Sequence, residues 1–332
     1  MAFVGVDEAV CSEVASRIRE IRLRKPYRPV IPRELGRELA LRVLFFFSVI
    51  NYDTRGLWGI VRGRLVRGSE YLLQALISLA EEDPSSLEPS SLAALELEKF
   101  MSWFGGPGEK RLPRRPSERV DLLRDAAEKL LEHYDGSVAA LLDACGGRIG
   151  GPGGLKERLS KFKAFDDPLA KKTMVFAILA RLEGLWEPVD PENITVGIDY
   201  HLQRVALRSG MVVIADEGLR RKLLFRRFVS AEEHHSIRAA CLRAYELVGH
   251  FSGRSQLELD QLFWNLGRSC CHHEREPACG GRAPCARGTT CSFLEATDYA
   301  CEGACPLDGI CRASLEPELV RLVEPKVITY YY

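Results

Sequence analysis

The chain has 332 residues, a formal net charge of zero, 46% hydrophobic residues and 28% charged residues. This length favours two packed lobes over one small domain. Because the chain is neutral overall, any nucleic-acid surface has to be a local patch. No apolar run reaches the ~18 residues of a membrane span, and the N-terminus lacks a secretory signal. We therefore expect a cytoplasmic monomer with no membrane partner. Its Arg-rich basic residues suit phosphate contact and are also typical of thermophile surfaces.

Helical periodicity dominates the chain, and strand-like alternation is scarce. Breakers rich in Gly, Pro and Ser separate the helical segments, above all at 83–86, 105–108 and 146–154. The pattern predicts an all-α fold. The predicted helices cover residues 10–23, 32–50, 69–81, 91–103, 117–134, 137–144, 155–163, 168–183, 199–209, 217–228, 231–248 and 255–266.

Cysteine is concentrated near the C-terminal end: of 11 Cys, eight lie between Cys270 and Cys311. A secreted disulfide scaffold is short and rich in Cys throughout, and this chain is neither. The cluster therefore favours a metal or an iron–sulfur site. Structural disulfides remain the alternative, because intracellular proteins of hyperthermophiles carry them.

Lys172 is the first candidate for chemistry. The predicted helix at 168–183 is apolar on nearly every side, so we expect it to be buried. Lys172 shares a helical face with Val175, Phe176 and Leu179. A partly desolvated lysine has a lowered pKa and becomes an amine nucleophile. The alternative is a lysine whose stem lies along apolar surface while its amine reaches water.

Asp199 is the second candidate, at the start of a short helical pattern that ends at Gly210. Its simplest role is to cap that helix. A capping carboxylate can also face a cleft, where it stabilises a developing cation or activates water.

The motif Lys-Thr-Met-Val-Phe-Ala at 172–177 and the motif Ile-Asp-Tyr-His at 198–201, followed by Arg204 and Arg208, carry a resemblance. Together they resemble the helix-hairpin-helix DNA glycosylase superfamily. Within it, they are most similar to the archaeal 8-oxoguanine glycosylases. The resemblance implies a two-lobed helical fold, with Lys172 as the Schiff-base lysine and Asp199 as the catalytic aspartate. In such enzymes the carboxylate stabilises positive charge on the sugar.

The cysteines extend this resemblance. Iron–sulfur members such as endonuclease III have Gly-Arg shortly before the first of four Cys ligands, as Gly267 and Arg268 precede Cys271 here. The resemblance implies a 4Fe-4S cluster held by Cys271, Cys301, Cys305 and Cys311. The insert between the first two of these predicts a second site, for Zn²⁺, formed by His272, Cys279, Cys285 and Cys291, or else disulfides among its cysteines.

The chain departs from the superfamily just before the lysine, where residues 163–168 contain no glycine. That place normally holds a Gly-rich hairpin that contacts a DNA phosphate. A related family on the same scaffold, the queuosine-salvage nucleotide glycosylases, has an Asp-Tyr-Arg motif near the position of Asp199 and cleaves a free nucleotide.

A base that leaves the DNA stack needs an aromatic pocket, and phosphates need basic side chains. The candidate substrate-binding residues are Asn51, Tyr52, Asp53, Trp58, Trp186, Tyr200 and His201. The candidate nucleic-acid-binding residues are Arg55, Arg62, Arg64, Arg204 and Arg208. The aromatic residues have core packing as their alternative role, and the arginines have a solvated surface.

We predict four segments: an N-terminal helical region that is part of the pocket lobe (1–116), a helix-hairpin-helix-like catalytic core (117–269), a Cys-rich module (270–315) and a tail (316–332). The leading functional hypothesis is a base-excision DNA glycosylase, with or without lyase activity, that acts on a damaged purine such as 8-oxoguanine in duplex DNA. The alternative is an N-glycosylase that acts on a free modified nucleotide in queuosine-type salvage. A second alternative is a non-catalytic iron–sulfur protein that binds nucleic acid.

Overall fold

The computed structural model describes residues 4–25, 30–104, 112–273, 277–279 and 291–332. The described part of the chain is predominantly helical, with 58% of its residues in helices and 6% in strands, which confirms the helical class. The helix-hairpin-helix arrangement itself stays a prediction. None of the helices in the described ranges has the length and apolarity needed to cross a membrane.

The helices and strands follow in chain order. The helices are α1 (Glu8–Arg19), α2 (Gly36–Ile50), α3 (Gly68–Glu82), α4 (Pro89–Ala93), α5 (Leu97–Ser102), α6 (Pro116–Tyr134), α7 (Val138–Ala144), α8 (Leu155–Leu159), α9 (Lys171–Leu182), α10 (Tyr200–Ser209), α11 (Glu217–Leu224), α12 (Ala231–Ser252), α13 (Gln256–Ser269), α14 (Ser292–Ala296) and α15 (Arg312–Leu315). The strands are β1 (Val4–Val6), β2 (Trp58–Val61), β3 (Arg64–Arg67) and β4 (Val212–Ile214).

The chain divides into two compact units. The first unit contains Met1–Tyr27 and Thr195–Ile328, and the second contains Arg28–Ile194 and Thr329–Tyr332. These units differ from the four predicted segments, because the N-terminal helix belongs with the C-terminal half of the chain. Most of the predicted linker at 105–116 lies outside the described residues.

The first unit is built around α12. Helix α1 packs along α12, and α10 packs on both α12 and α13. Strands β1 and β4 pair antiparallel, with Val4 opposite Ile214, and β1 also lies against α12. Helix α1 begins two residues before its predicted start, because the Asp7 carboxylate accepts the N–H group of Val10 at 3.0 Å and caps the helix.

The second unit is built around α2, which packs against α3, α6, α7 and α9. Its mostly apolar sequence from Ala40 to Ile50 is buried. The carboxylate of Glu38 accepts the N–H groups of Val138 and Ala139, at 2.8 and 2.9 Å, and so fixes the start of α7. The predicted burial of α9 is confirmed. Strands β2 and β3 form a hairpin that the helical pattern does not predict.

Candidate active site

Lys172 lies in the first turn of α9, and only 1% of its surface is exposed. The Asp167 carboxylate accepts the backbone N–H groups of Leu169 and Lys171, at 3.1 and 3.0 Å. Ala170 between them takes a left-handed conformation, with φ of 51°. This tight start turns Lys172 into the interior of the second unit. The sequence predicts that Lys172 lies along apolar surface, and in the fold the residue is almost completely buried.

A backbone carbonyl and aromatic rings hold the Lys172 amine. Its Nζ atom donates a hydrogen bond to the carbonyl oxygen of Val49 over 2.6 Å. The same atom lies 4.8 Å from the centre of the Tyr52 ring and 5.7 Å from that of the Tyr330 ring. Both distances allow cation–π attraction when the amine is protonated. The amine therefore lies between the end of α2 and the last residues of the chain.

The environment of Lys172 disfavours its charge. Burial lowers the pKa of Lys172 well below 10.5, and the charges of Lys171 and Arg119 lower it further. The carboxylates of Glu118 and Asp166 act in the opposite direction. A lysine of this kind has a larger neutral fraction at a given pH than an exposed lysine. It can therefore exchange a proton or act as a nucleophile under mild conditions.

Arg119 of α6 supports the turn that carries Tyr52. Its guanidinium group donates to the carbonyl oxygens of Ile50 and of Tyr52, the latter at 2.6 Å. It also donates to the carbonyl of Arg114 at 2.9 Å, and its Cζ atom lies 4.0 Å from the centre of the Tyr52 ring. Burial lowers the pKa of Arg119 to about 10, so the group stays charged at neutral pH. Arg119 is not among the predicted site residues.

Tyr52 is itself buried, with 1% of its surface exposed. Burial and the neighbouring Glu118 carboxylate raise the pKa of Tyr52, and the charge of Arg119 opposes that effect only in part. The phenol therefore stays protonated.

Pairs of polar side chains surround these buried groups in the second unit. The pairs are Asp53 with Arg114 at 3.5 Å, Arg115 with Glu118 at 3.1 Å, and the Tyr330 hydroxyl with Asp166 at 2.9 Å. Arg115 also donates to the carbonyl of Thr329, and the Asp53 N–H group donates to the carbonyl of Tyr332 at 3.3 Å. The last four residues thus pack on the site, which no local sequence pattern indicates.

The remaining candidate residues of the second unit differ in how far they are exposed. Asn51 follows the end of α2 and is half-buried, and Trp186 is buried. The hairpin of β2 and β3 carries Trp58, Arg62 and Arg64, and Arg55 precedes it. Trp58 and Arg55 are half-buried, whereas Arg62 and Arg64 are exposed, and Arg62 pairs with Glu81.

Asp199 lies in the first unit and caps α10. Its carboxylate accepts the N–H groups of His201 and Leu202, at 2.8 and 3.0 Å, and 8% of its surface is exposed. The capping role predicted from sequence is therefore observed, and the catalytic role stays a prediction. Lys172 belongs to the other unit.

Arg204 and Arg208 are buried, although the sequence suggests that they contact nucleic acid. Arg204 is 2% exposed and forms an ion pair with Glu324 at 2.8 Å. Arg208 is 3% exposed and donates to the carbonyls of His272 and Val320, at 2.6 and 2.9 Å. Both guanidinium groups are thus engaged inside the first unit, and neither forms part of a surface patch.

Glu324 is a buried carboxylate that the motifs do not indicate. In addition to Arg204, its second oxygen lies 2.7 Å from Nδ1 of His273. Arg204 also contacts Nδ1 of His201 at 2.9 Å, and burial lowers the pKa of His201 well below its ordinary value. Tyr200 is half-buried and its ring lies beside that of His201. These contacts tie the start of α10 to the C-terminal segment.

The Cys-rich module brings several thiols together in the first unit. Cys270, Cys271, Cys279, Cys305 and Cys311 line one cavity. Cys301 is buried but is not part of that lining, while His272 and Cys291 are half-buried. Cys285 lies outside the described residues. Within the described ranges, no group of three His, Cys, Asp or Glu side chains is arranged to hold a single metal ion.

Part of this chain matches a known protein family. Residues 47–181 match the family model described as queuosine salvage protein. This part of the chain is similar to the queuosine salvage proteins. It contains Tyr52, Arg119 and Lys172 and ends before Asp199. No curated protein matches the chain. The match supports the free-nucleotide alternative better than the DNA-repair hypothesis.

Proposed function

We propose that this protein hydrolyses the N-glycosidic bond of a free modified nucleoside or nucleotide of the queuosine type, as a salvage enzyme. One observation carries the proposal: the stretch that is similar to the queuosine salvage proteins contains the buried Lys172 and the Tyr52 ring beside it. A buried amine with a lowered pKa, next to a buried phenol and acted on by two carboxylates, is typical of a site for proton transfer.

The chemistry requires control of charge on the sugar and on the base. As the glycosidic bond breaks, its electron pair moves to the base nitrogen and the sugar becomes an oxocarbenium ion. Glu118 and Asp166 both act electrostatically on Lys172. We assign these carboxylates to stabilise the positive sugar, and one of them to accept a proton from the attacking water.

The departing base needs a proton, and Lys172 is the group that we assign to supply it. Because its pKa is lowered, its ammonium form is a stronger acid than that of an exposed lysine. Tyr330, half-buried beside Lys172, offers an aromatic face for a base.

The test compares substrates directly. Purified protein is incubated with queuosine, with its 5′-monophosphate, and with a duplex that contains 8-oxoguanine, and released base is measured by chromatography. We expect release from a free substrate and none from the duplex. Release from the duplex alone would contradict the proposal and favour the DNA-repair hypothesis. Duplex binding with a steep salt dependence and no release would favour the non-catalytic alternative.

The matched variants are Lys172→Gln at the site and Arg64→Gln on the exposed hairpin. The site variant is expected to lose most base release from the free substrate, and the hairpin variant is expected to keep it. Equal loss in both would argue against a site at Lys172.

A further inference from the structure

A cavity lies in the first unit, and its walls are thiols, apolar side chains and Arg208. A buried water needs two to four polar partners. Thiols are weak hydrogen-bond partners. The cavity is therefore poorly suited to water and well suited to a group that sulfur binds.

The main chain holds the thiols in place. The N–H group of Ala278 donates to the carbonyl of Cys270 at 2.9 Å, and the N–H group of Cys305 donates to the carbonyl of Ala278 at 2.6 Å. The N–H group of Cys311 donates to the carbonyl of Leu307 at 2.8 Å. The bond from Cys305 to Ala278 joins two parts of the chain that are distant in sequence, and the other two bonds fix the local conformation of each part.

Four of the thiols form a set. The thiol of Cys311 interacts electrostatically with those of Cys271, Cys305 and Cys279. All four residues are buried, with 6–9% of their surfaces exposed. Cys270 also lines the cavity, where its thiol hydrogen-bonds to Cys305.

Two kinds of metal centre take four cysteine ligands. A zinc ion needs four sulfurs at about 2.3 Å from one point. In a 4Fe-4S cluster each thiolate binds a different iron, so the sulfurs stand farther apart around a central space. We propose that Cys271, Cys279, Cys305 and Cys311 hold a 4Fe-4S cluster in this cavity.

This ligand set differs from the one that sequence spacing implies, because Cys279 replaces Cys301. The cluster binds as an assembled unit, and each Cys loses its thiol proton as its iron–sulfur bond forms. Arg208 helps to balance the negative charge, since its Nη1 atom donates to the Cys271 sulfur at 3.3 Å. Hydrogen bonds to cluster sulfurs raise the reduction potential. Because the four residues are buried, the cluster is structural rather than open to substrate.

The experiment is anaerobic purification of the full chain, followed by iron, sulfide and zinc analysis and visible spectroscopy. We expect brown protein with about four irons and about four sulfides per chain. Cys279→Ser is expected to lose at least half of the iron, whereas Cys301→Ser and Cys270→Ser keep it. Zinc without iron, no metal at all, or iron lost from Cys301→Ser and kept by Cys279→Ser would each overturn the proposal.

A second measurement uses only the wild-type protein, so it does not depend on whether a variant folds. Intact wild-type protein is alkylated before and after the cluster is removed with a chelator, and the modified cysteines are identified by mass spectrometry. We expect the four ligands to react at least tenfold faster after removal, while half-buried Cys291 reacts at a similar rate throughout. Unchanged reactivity of Cys279 would remove it from the ligand set. These outcomes are independent of base release, so they leave the proposed function untouched.

Discussion

The Nζ atom of Lys172 donates a hydrogen bond to the carbonyl oxygen of Val49 at 2.6 Å, and this bond joins the start of α9 to the end of α2. The last carbonyls of a helix have no partner within it, and Val49 lies in the last turn of α2. A neutral amine can donate this bond as well as an ammonium group. The contact therefore persists when Lys172 loses its proton, which fits a residue that exchanges protons.

The stability of the protein is expected to depend on pH through Lys172. Its pKa in the folded state lies below 10.5, and in the unfolded state it returns to that value. Between these two pKa values the unfolded chain binds more protons, so stability rises with pH. The penalty of burying the charge is fully present below the folded pKa and is relieved as pH rises towards 10.5.

Urea unfolding of wild type and of Lys172→Met tests this expectation between about pH 6 and about pH 10. The wild type is expected to gain stability relative to the variant as pH rises. A difference in unfolding free energy that stays constant over this range would contradict the lowered pKa.

Local pattern is enough to predict the burial of α9 and the direction of Lys172, because helical periodicity decides both. It also places the cap at Asp199. It does not predict the partners of Arg119, because the carbonyls of Ile50 and Tyr52 lie almost seventy residues away and only the packing of α6 on α2 brings them together. An arginine on the apolar face of α6 is the one signal that the sequence offers.

The cysteines show the same limit. Spacing pairs Cys301 with Cys305 and Cys311, since they are close in sequence. In the fold, the hydrogen bond from Cys305 to Ala278 brings Cys279 to the cavity, and Cys301 is not part of its lining. Spacing does not predict which cysteines line the cavity, because residues that are distant in sequence meet there only through the fold.

Asp199→Asn separates capping from catalysis. An Asn side chain still accepts the N–H groups that Asp199 binds, so stability should change little. If the carboxylate takes part in the reaction, base release falls by about 100-fold or more. Asp199→Ala should in addition lose about 1 kcal/mol of stability. Activity of Asp199→Asn equal to wild type would leave the residue with its capping role alone.

Glu324→Gln is expected to destabilise the first unit by about 3 kcal/mol, because it leaves the buried Arg204 without a counter-charge. The matched control is Glu318→Gln, whose carboxylate is exposed and lies 3.8 Å from Arg220. That change should cost less than about 0.5 kcal/mol. Thermal and urea unfolding measure both, and equal effects would show that the buried pair contributes no more than the exposed one.

The last prediction concerns the nucleophile. If water attacks the sugar, borohydride should trap no adduct between wild-type protein and a free nucleotide, because only an amine nucleophile gives a reducible imine. Lys172→Gln should nevertheless slow base release by about 100-fold or more, since the departing base loses its proton donor. Mass spectrometry of the borohydride-treated protein and chromatography of the released base provide the two readouts.

Lys171→Gln is the matched control for this prediction. Lys171 is about 100° away around the helix, so its side chain points in another direction. Its removal takes away a positive charge that lowers the pKa of Lys172, and base release should remain within about threefold of wild type. An adduct that forms on wild type and Lys171→Gln but not on Lys172→Gln would make Lys172 the nucleophile. The Schiff-base mechanism implied by the glycosylase resemblance would then replace hydrolysis by water.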